Sequence, residues 1–436
     1  MGNTRNLPAY EDLVQGDRVH SAVYTDDRIF ADELTRIFTN WWVYVGHDSE
    51  VPEAGDYKLS TIGAQSVIMS RDRDGEVHLL MNRCRHRGSV VCHYEKGNAN
   101  IFRCPYHGWT YRNDGRLVGV PYPKAYGTDF DKTRLGLVKV PRIGNYRGFV
   151  FASLNPNVDA FEDYLGPAMP YIDWFVDASP SGRIDLSAGV ARTQYHGNWK
   201  FVGMDGYHPP FAHKSLQDVV RLTAQKKADA LFDHYTEDSP LRAVDLGNGH
   251  SRLDEQQTEE ETILGGLRAA EDAPTREYHR RLEDAYGPGS ASRVISRSDP
   301  HLAVFPNLQL LGAHVRVIRP MAANLTRLEA YPALLADVPD EINSARLRAL
   351  EWFHGPASFG SPDDSEIFER MQLGLGAEVN PWVLLSRGLA REDVDDDGRR
   401  YANITDETPQ RGQLRQWLRV MTAPVDAATE LVSEPS

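Results

Sequence analysis

Two segments, NRCRHRGSVVC at residues 82–92 and FRCPYHGWTY at residues 102–111, each carry a cysteine and a histidine close together. One residue separates Cys84 from His86, two separate Cys104 from His107, and seventeen lie between the pairs. Two thiolates on one iron and two imidazoles on the other are the ligand set of a Rieske [2Fe–2S] cluster. The pattern therefore predicts a one-electron redox centre.

Zinc is the competing metal, because thiolates suit both zinc and iron–sulfur clusters. Structural zinc sites usually pair cysteine with cysteine, whereas each pair here is mixed. Glycines near both histidines favour loops that turn tightly around a cluster, and Trp109 is positioned to shield it from water. Cys92, the last of the three cysteines, is predicted to be a small buried residue beside the site.

The composition of the chain argues against some classes of binding partner. The 436 residues carry a formal net charge of −14, which argues against nucleic acid or an anionic membrane as the main partner. No apolar run approaches the ~20 residues that span a bilayer. The first residues lack the apolar core of a signal peptide. A cytoplasmic location is expected.

The pattern along the chain predicts an α+β protein in which an all-β Rieske domain precedes a larger α+β catalytic domain with an antiparallel sheet and helices. Residues 1–40 are expected to be a helical part of the catalytic domain, residues 41–157 the Rieske domain and residues 158–436 the catalytic domain. Residues 233–299 are polar and glycine-rich, so we expect a solvated excursion or lid there.

A second histidine pair lies in NWKFVGMDGYHPPFAH at residues 198–213. His208 and His213 are five residues apart and could ligate one metal, although two lone histidines are more often structural. Further along, GPASFGSPDDSEIFERMQ at residues 355–372 contains Asp363 and Asp364 at the start of a predicted helix. Either aspartate could instead cap that helix.

Together these blocks resemble the large (alpha) subunits of Rieske non-haem iron ring-hydroxylating oxygenases, from about residue 41 to residue 421. The resemblance implies a mononuclear Fe(II) held by His208, His213 and Asp364, with Asp363 as the alternative carboxylate. It also implies that Asp205 bridges a cluster histidine, His107, and an iron histidine, His208, across a subunit boundary. A carboxylate in that position can accept from both imidazoles and hold their tautomers.

The same resemblance implies O2 as co-substrate and electrons from NAD(P)H through a separate reductase, with or without a ferredoxin. It implies a homotrimeric alpha arrangement, either α3β3 with a small beta subunit or α3 alone. The first choice of reaction is cis-dihydroxylation of an aromatic ring. The alternatives are a Rieske monooxygenase, by ring monohydroxylation or O- or N-demethylation, and a pure electron-transfer protein, which would leave much of the chain unexplained.

The carboxyl-terminal segments look closest to benzoate-, anthranilate-, salicylate- and terephthalate-type enzymes, which suggests an aromatic acid as substrate. Arg316 could meet a carboxylate bidentately, or it could lie on a solvated strand face. His354 stands where the family commonly has Phe, which adds polarity to the pocket. Val202 and Met204 complete the predicted substrate-binding set, but the segment before Asp205 is shorter than in naphthalene-type members, so their role stays open.

Overall fold

The computed structural model describes residues 8–205, 236–254, 272–358 and 360–424, together with positions 214–215, 218 and 221–222. Within these residues the chain forms two compact units. Residues 8–33 and 160–424 form the large unit, and residues 34–159 form the small unit.

Helices and strands are mixed along the described chain. The α-helices are α1 Tyr10–Leu13, α2 Ala22–Thr25, α3 Asp27–Arg36, α4 Phe161–Leu165, α5 Met169–Asp177, α6 Ala273–Tyr286, α7 Ser290–Ile295, α8 Asp340–His354, α9 Gly360–Gly374 and α10 Thr408–Thr422. The strands are β1 Arg18–His20, β2 Val43–His47, β3 Asp56–Ile62, β4 Gln65–Arg71, β5 Val77–Met81, β6 Lys96–Asn98, β7 Ile101–Arg103, β8 Thr110–Arg112, β9 Leu117–Gly119, β10 Arg142–Tyr146, β11 Phe149–Ser153, β12 Ile184–Asp185, β13 Ala191–Tyr195, β14 Arg242–Gly247, β15 His250–Asp254, β16 Leu302–Val304, β17 Leu308–Leu311, β18 His314–Ala322, β19 Leu325–Pro332, β20 Leu334–Leu335, β21 Trp382–Leu384, β22 Asp393–Val394 and β23 Arg400–Asn403.

Antiparallel strands build the small unit. A four-stranded sheet has the order β5-β4-β3-β6, and two three-stranded sheets have the orders β7-β8-β9 and β10-β11-β2. Ile68 of β4 and Leu80 of β5 are fully buried and belong to a core that also contains Tyr111, Cys84 and Cys104. The two predicted thiolate ligands therefore lie inside the hydrophobic core of the all-β unit.

A nine-stranded antiparallel sheet forms the centre of the large unit, in the order β13-β19-β18-β17-β16-β15-β14-β23-β22. Every residue of β16 and β17 is buried, as expected for interior strands covered on both faces. Helix α10 packs on β14 and β15. The predicted fold class is confirmed: an all-β Rieske part is combined with an antiparallel sheet and helices. None of the helices in the described ranges is both long and apolar enough to cross a membrane.

The predicted polar excursion over residues 233–299 is wrong for residues 242–254. These residues form β14 and β15, which are neighbouring interior strands of the nine-stranded sheet. The fully buried Ser251 is an example of a polar side chain that is paired inside the protein rather than solvated: its hydroxyl accepts from the Gln413 amide of α10 at 2.7 Å. Composition alone does not distinguish a polar residue paired in a core from one in water.

Candidate metal centre and active site

The loop after β5 holds the first Cys–His pair in a tight turn. The Cys84 amide donates to the Ser89 carbonyl at 2.8 Å, and the Gly88 amide donates to the Cys84 carbonyl at 2.9 Å. Gly88 has a φ of +76°, in the left-handed region that favours glycine. A Cβ atom there would lie 3.2 Å from Arg83 Nε. The loop around His86 therefore depends on this glycine.

The loop between β7 and β8 repeats this arrangement around the second pair. The Cys104 amide donates to the Trp109 carbonyl at 2.8 Å, and the Gly108 amide donates to the Cys104 carbonyl at 3.0 Å. Gly108 has a φ of +71°, and a Cβ atom on it would lie 3.3 Å from Arg103 Nη2. The two loops therefore make equivalent backbone hydrogen bonds, one around His86 and the other around His107.

The structure brings the two predicted pairs together in the small unit. The ring centroids of His86 and His107 are 4.7 Å apart, and Cys84 and Cys104 are buried free thiols. The Nδ1 atoms of both histidines are buried, and neither has a hydrogen-bond partner among the described residues. Because a buried unpaired nitrogen is costly, these atoms are suited to bind a metal.

The arrangement does not suit a single zinc ion. In the part of the chain that the structure describes, no three His, Cys, Asp or Glu side chains could hold one metal ion. Tetrahedral zinc needs its ligands at about 2.0–2.3 Å from one centre. A [2Fe–2S] cluster instead separates thiolates and imidazoles onto different irons. The residues present therefore fit a Rieske cluster.

Aromatic side chains enclose the candidate cluster site. The His86 ring stacks on Trp109 with centroids 5.0 Å apart and an interplanar angle of 4°. The fully buried Tyr111 hydroxyl accepts from the Arg85 amide at 3.0 Å and lies 3.2 Å from Cys84 Sγ. Burial raises the pKa of Tyr111 well above its usual range, so the hydroxyl keeps its proton and would donate it to a Cys84 thiolate. The sequence-based prediction missed Tyr111, although it lies two residues beyond Trp109 in the second segment.

Cys92 lies beside this site as the predicted small buried residue. The Asn82 side chain accepts from the Cys92 amide at 2.9 Å and donates to the Cys92 carbonyl at 2.8 Å. Burial also raises the pKa of the Cys92 thiol. The residue therefore has the surroundings of a structural cysteine rather than a reactive one.

The structure describes only some of the residues of the second predicted metal centre. His208 and His213 lie outside the described residues. Asp205 and Met204 end a π-helical turn, Phe201–Asp205, of which the structure describes the backbone at these two positions. The two candidate carboxylates lie near the start of α9 and are half-buried: Asp363 and Asp364. The ligand set of this centre stays a prediction.

A buried charged network precedes the π-helical turn. The Glu33 carboxylate of α3 accepts from Lys200 Nζ at 2.6 Å, from Trp417 Nε1 at 2.7 Å and from Trp199 Nε1 at 2.8 Å. The Glu33 and Lys200 side chains are both 0% exposed. A buried ion pair is tolerated when its remaining hydrogen-bonding capacity is satisfied, as it is for this carboxylate. The network ties α3 and α10 to the segment that carries Asp205.

Three of the predicted substrate-binding residues are linked by hydrogen bonds, Arg316 and His354 directly and Val202 through Gln309. Arg316 Nη2 donates to His354 Nδ1 at 3.2 Å, and Arg316 Nη1 donates to Gln309 Oε1 at 3.4 Å. Gln309 Nε2 in turn donates to the Val202 carbonyl at 2.9 Å. Arg316 is only 7% exposed, so a solvated strand face is the wrong description of it. The side chain of Met204 lies outside the described part.

His314 is a further member of this group that the sequence-based prediction missed. Its ring centroid is 4.8 Å from that of His354. Burial, with the Arg316 charge as a smaller cause, lowers the pKa of His314 well below its usual range. Burial likewise lowers the pKa of His354, with His314 and Arg316 as smaller causes. Strand alternation places His314 and Arg316 on one face of β18, which is the signal that could have identified it.

Comparison with known families agrees with both halves of the chain. Residues 41–141 match the model of the Rieske [2Fe-2S] domain. Residues 184–422, more than half of the chain, match the model of the ring hydroxylating alpha subunit (catalytic domain). A catalytic domain of this kind accounts for the residues that a pure electron-transfer protein would leave unexplained.

Individual relatives are similar over nearly the whole chain. The anthranilate 1,2-dioxygenase large subunit of Acinetobacter baylyi is 34% identical, over 88% of this chain and 85% of its own length. The N,N-dimethyl phenylurea N-demethylase subunit alpha of a Sphingobium species is 31% identical, over 93% and 92%. The structure of naphthalene 1,2-dioxygenase from a Rhodococcus species bound to indole superposes with a TM-score of 0.77 and 28% identity, over 93% of this chain and 95% of that one.

The two family matches, the relatives and the fit of the cysteine and histidine loops to a cluster agree with one another. We conclude that the chain belongs to the Rieske-type ring-hydroxylating dioxygenase alpha subunits, oxidoreductases that serve as terminal oxygenases and use a Rieske [2Fe–2S] cluster, mononuclear iron, O2 and electrons supplied by a reductase.

Proposed function

We propose that this oxygenase catalyses the cis-dihydroxylation of an aromatic carboxylic acid. The observation that carries the proposal is the buried guanidinium of Arg316, which contacts the side chains of His354 and Gln309 inside the catalytic part. A guanidinium presents a planar fork of donors that matches a carboxylate. Similarity to the anthranilate 1,2-dioxygenase large subunit supports the same substrate class, because anthranilate is an aromatic acid.

The proposed ligands of the cluster are Cys84, His86, Cys104 and His107, and those of the mononuclear iron are His208, His213 and Asp364, with Asp363 as the alternative. The orphaned Nδ1 atoms of the two cluster histidines support the first set. The position of both aspartates near the start of α9 is compatible with the second. When bound, the cluster would transfer single electrons and the iron would activate O2.

Asp205 is proposed to act between the two centres. Its carboxylate would accept from an imidazole N–H of His208 and from His107 of the partner subunit, and would hold both rings in one tautomer. This role requires an assembly of several copies, for which we propose a homotrimeric alpha arrangement, α3 or α3β3 with a small beta subunit. A separate reductase, with or without a ferredoxin, would supply the electrons in the cytoplasm.

From these assignments we propose a separate role for each domain. Residues 41–157 would form the domain that accepts electrons. Residues 1–40 and 158–436 would form the domain that binds the aromatic substrate, with Val202, Met204, Arg316 and His354 lining the pocket. The contact of Gln309 with both Arg316 and the Val202 carbonyl supports a common pocket for these residues.

One observation favours a second candidate, a Rieske monooxygenase. The N-demethylase subunit alpha from Sphingobium is nearly as similar to this chain as the anthranilate dioxygenase subunit, so the family match alone does not separate the two reactions. A monooxygenase would insert one oxygen atom of O2 into the substrate, either by ring hydroxylation or by demethylation.

Product analysis under 18O2 separates these candidates. The purified protein and a surrogate reductase are supplied with benzoate, benzamide, naphthalene and N,N-dimethylaniline. Our proposal expects a dihydrodiol of benzoate that carries two labelled oxygen atoms, with much slower turnover of the neutral compounds. Formaldehyde release from the dimethylaniline, or a singly labelled phenol as the main product, would instead identify a monooxygenase. Preferred turnover of naphthalene would remove the acid as substrate.

A further inference from the structure

The small unit carries a charge opposite to that of the chain as a whole. Residues 34–159 contain 17 lysines and arginines against 12 aspartates and glutamates, a formal net charge of +5, whereas the whole chain has −14. The segments that hold the two ligand loops, residues 82–94 and 101–113, contain five arginines and no aspartate or glutamate. Positive charge is therefore concentrated around the candidate cluster site.

Four of these arginines adjoin a predicted cluster ligand in the sequence, and we call them the loop arginines: Arg83, Arg85, Arg87 and Arg103. Three of them are exposed and one is half-buried. None forms an ion pair with a carboxylate in the ranges that the structure covers, whereas Arg116 of the same unit lies 2.6 Å from Asp114. A Rieske cluster gains a single electron on reduction, which could offset only part of four positive charges. The loop arginines therefore present net positive charge to the solvent.

The fold holds two of these charges beside the ligand loops. The guanidinium groups of Arg83 and Arg103 lie next to the glycines of the two turns, Gly88 and Gly108. A Cβ atom on either glycine would be 3.2 Å from Arg83 Nε or 3.3 Å from Arg103 Nη2. Each loop therefore places one guanidinium against the turn that follows its ligand histidine.

Aromatic side chains connect the first ligand histidine to the same surface. The His86 ring stacks on Trp109, and Trp109 Nε1 donates to the Tyr126 hydroxyl at 3.2 Å. Tyr126 is 37% exposed, so this group of rings reaches from the cluster site to the solvent. The surface that joins the loop arginines to Tyr126 is called the cluster face below.

We propose that the cluster face is the docking surface for the electron donor, and that the donor, a reductase or ferredoxin, meets it with an acidic surface. The inference deepens the proposed function and rests on its supply of electrons by a separate protein. In the docked complex one electron passes from the reduced centre of the donor to the oxidised cluster. The donor is oxidised by one electron, and no proton or atom has to move with it.

Exposed charge favours a transient partner over a permanent subunit contact. Charged residues are depleted from the buried core of interfaces between proteins. Weak electron-transfer complexes have small interfaces, and electrostatic attraction sets their rate of association. The proposed contact of Asp205 with a neighbouring copy involves His107 alone, so it does not require the first loop, which carries three of the four loop arginines. A second copy of the chain is the alternative occupant.

Binding of an acidic ferredoxin to the purified, cofactor-loaded protein tests the assignment. The probe is a plant-type [2Fe–2S] ferredoxin with an acidic surface, compared with the same ferredoxin after its surface carboxylates have been converted to amides. Calorimetry gives the dissociation constant at ionic strengths of about 0.01 M and about 0.15 M, between which the Debye length falls from about 30 Å to about 8 Å. We expect the acidic form to bind more tightly than the amidated form and to lose about tenfold in affinity at the higher ionic strength. This arm needs no variant.

Charge reversal locates the surface. Arg83→Glu combined with Arg87→Glu should weaken binding of the acidic ferredoxin about 10- to 100-fold at the lower ionic strength. The neutral pair, Arg83→Gln with Arg87→Gln, should lie between this variant and the wild type. Arg116→Glu is the matched control, because the charge of this exposed arginine is already paired with Asp114, and it should change the affinity less than about threefold. Stopped-flow reduction of the cluster by the ferredoxin should slow in the same order.

An affinity that is independent of ionic strength, or equal weakening by Arg116→Glu, would overturn the docking surface. Sedimentation velocity tests the alternative occupant: if the charge-reversed variant dissociates the assembly of copies, the cluster face is a subunit contact and the proposal is wrong. Any of these results leaves the proposed function standing as long as the wild-type protein oxygenates benzoate. Failure to oxygenate benzoate despite salt-dependent ferredoxin binding would instead remove the proposed substrate and uphold the docking surface.

Discussion

The Tyr111 hydroxyl should set the reduction potential of the cluster. It lies 3.2 Å from Cys84 Sγ and accepts from the Arg85 amide, and because a cluster-bound Cys84 thiolate has no hydrogen, the Tyr111 hydroxyl would be the donor to the sulfur. Reduction adds negative charge to the cluster and strengthens this hydrogen bond, so the bond favours the reduced form. Tyr111→Phe removes the hydroxyl and keeps the fully buried ring in place. The variant should therefore have a lower potential.

The size of the shift follows from hydrogen-bond energetics. A hydrogen bond to a charged group contributes about 1.5–3 kcal/mol, of which only the difference between the oxidised and reduced states counts. A difference of about 1–2 kcal/mol corresponds to a lowering of about 40–90 mV for a one-electron couple. A redox titration followed by visible circular dichroism or by the EPR signal of the reduced cluster measures it directly.

Tyr126→Phe is the matched control for this experiment. The Tyr126 hydroxyl also belongs to the aromatic surround of the cluster, but it accepts from Trp109 Nε1 at 3.2 Å and makes no contact with a cysteine among the described residues. Its removal should shift the potential by less than about 20 mV, because no bond to sulfur is lost. An unchanged or higher potential in Tyr111→Phe, with an intact cluster spectrum, would refute the reasoning.

Three further predictions concern the large unit. Asp364→Ala should lose the mononuclear iron and retain the Rieske spectrum, whereas Asp363→Ala should retain both; metal analysis and visible spectra decide, and the reverse result would move the ligand to Asp363. Glu33→Ala removes the carboxylate that pairs with the buried Lys200 ammonium and should destabilise the protein by about 3–5 kcal/mol in urea unfolding. Lys200→Met added to it should recover part of this loss, and a purely additive double variant would contradict the pairing. Burial lowers the pKa of His250 to about 4 from an ordinary value of 6.5. The folded state therefore resists protonation, and the free energy of unfolding should fall by up to about 3 kcal/mol between pH 6.5 and 4. His250→Gln should flatten that part of the pH profile, and an unchanged slope would exclude this residue as the cause.

Much of the small unit was predictable because its chemistry is local. One- and two-residue spacings bring Cys84 near His86 and Cys104 near His107, and a following glycine in each segment indicates a tight turn. Short strand-like runs separated by glycine and aspartate turns predicted an all-β segment around both loops. What the spacing did not reveal is the hydroxyl at Cys84 Sγ, because the contact joins residues that are 27 positions apart.

The fold class of the large unit could be predicted from the sequence, but not all of its individual strands could. The combination of helices with an antiparallel sheet was predicted from the sequence pattern, but residues 242–254 were misassigned because their polar side chains suggested a solvated loop. The partners that make those residues suitable for a sheet, such as Gln413 for Ser251, lie 162 positions away. No local pattern contains that information.

By itself, the amino-acid sequence determined the two ligand loops and the fold class, since each depends on short-range spacing or periodicity, and it indicated the family through the resemblance of its motifs. Only the tertiary structure decided which charged side chains are buried together. Glu33 meets Trp417 across 384 positions, and Arg316 meets His354 across 38. The physical reason is that such pairs form where strand register and helix packing place them, and their burial, which makes them costly to leave unpaired, exists only in the folded chain.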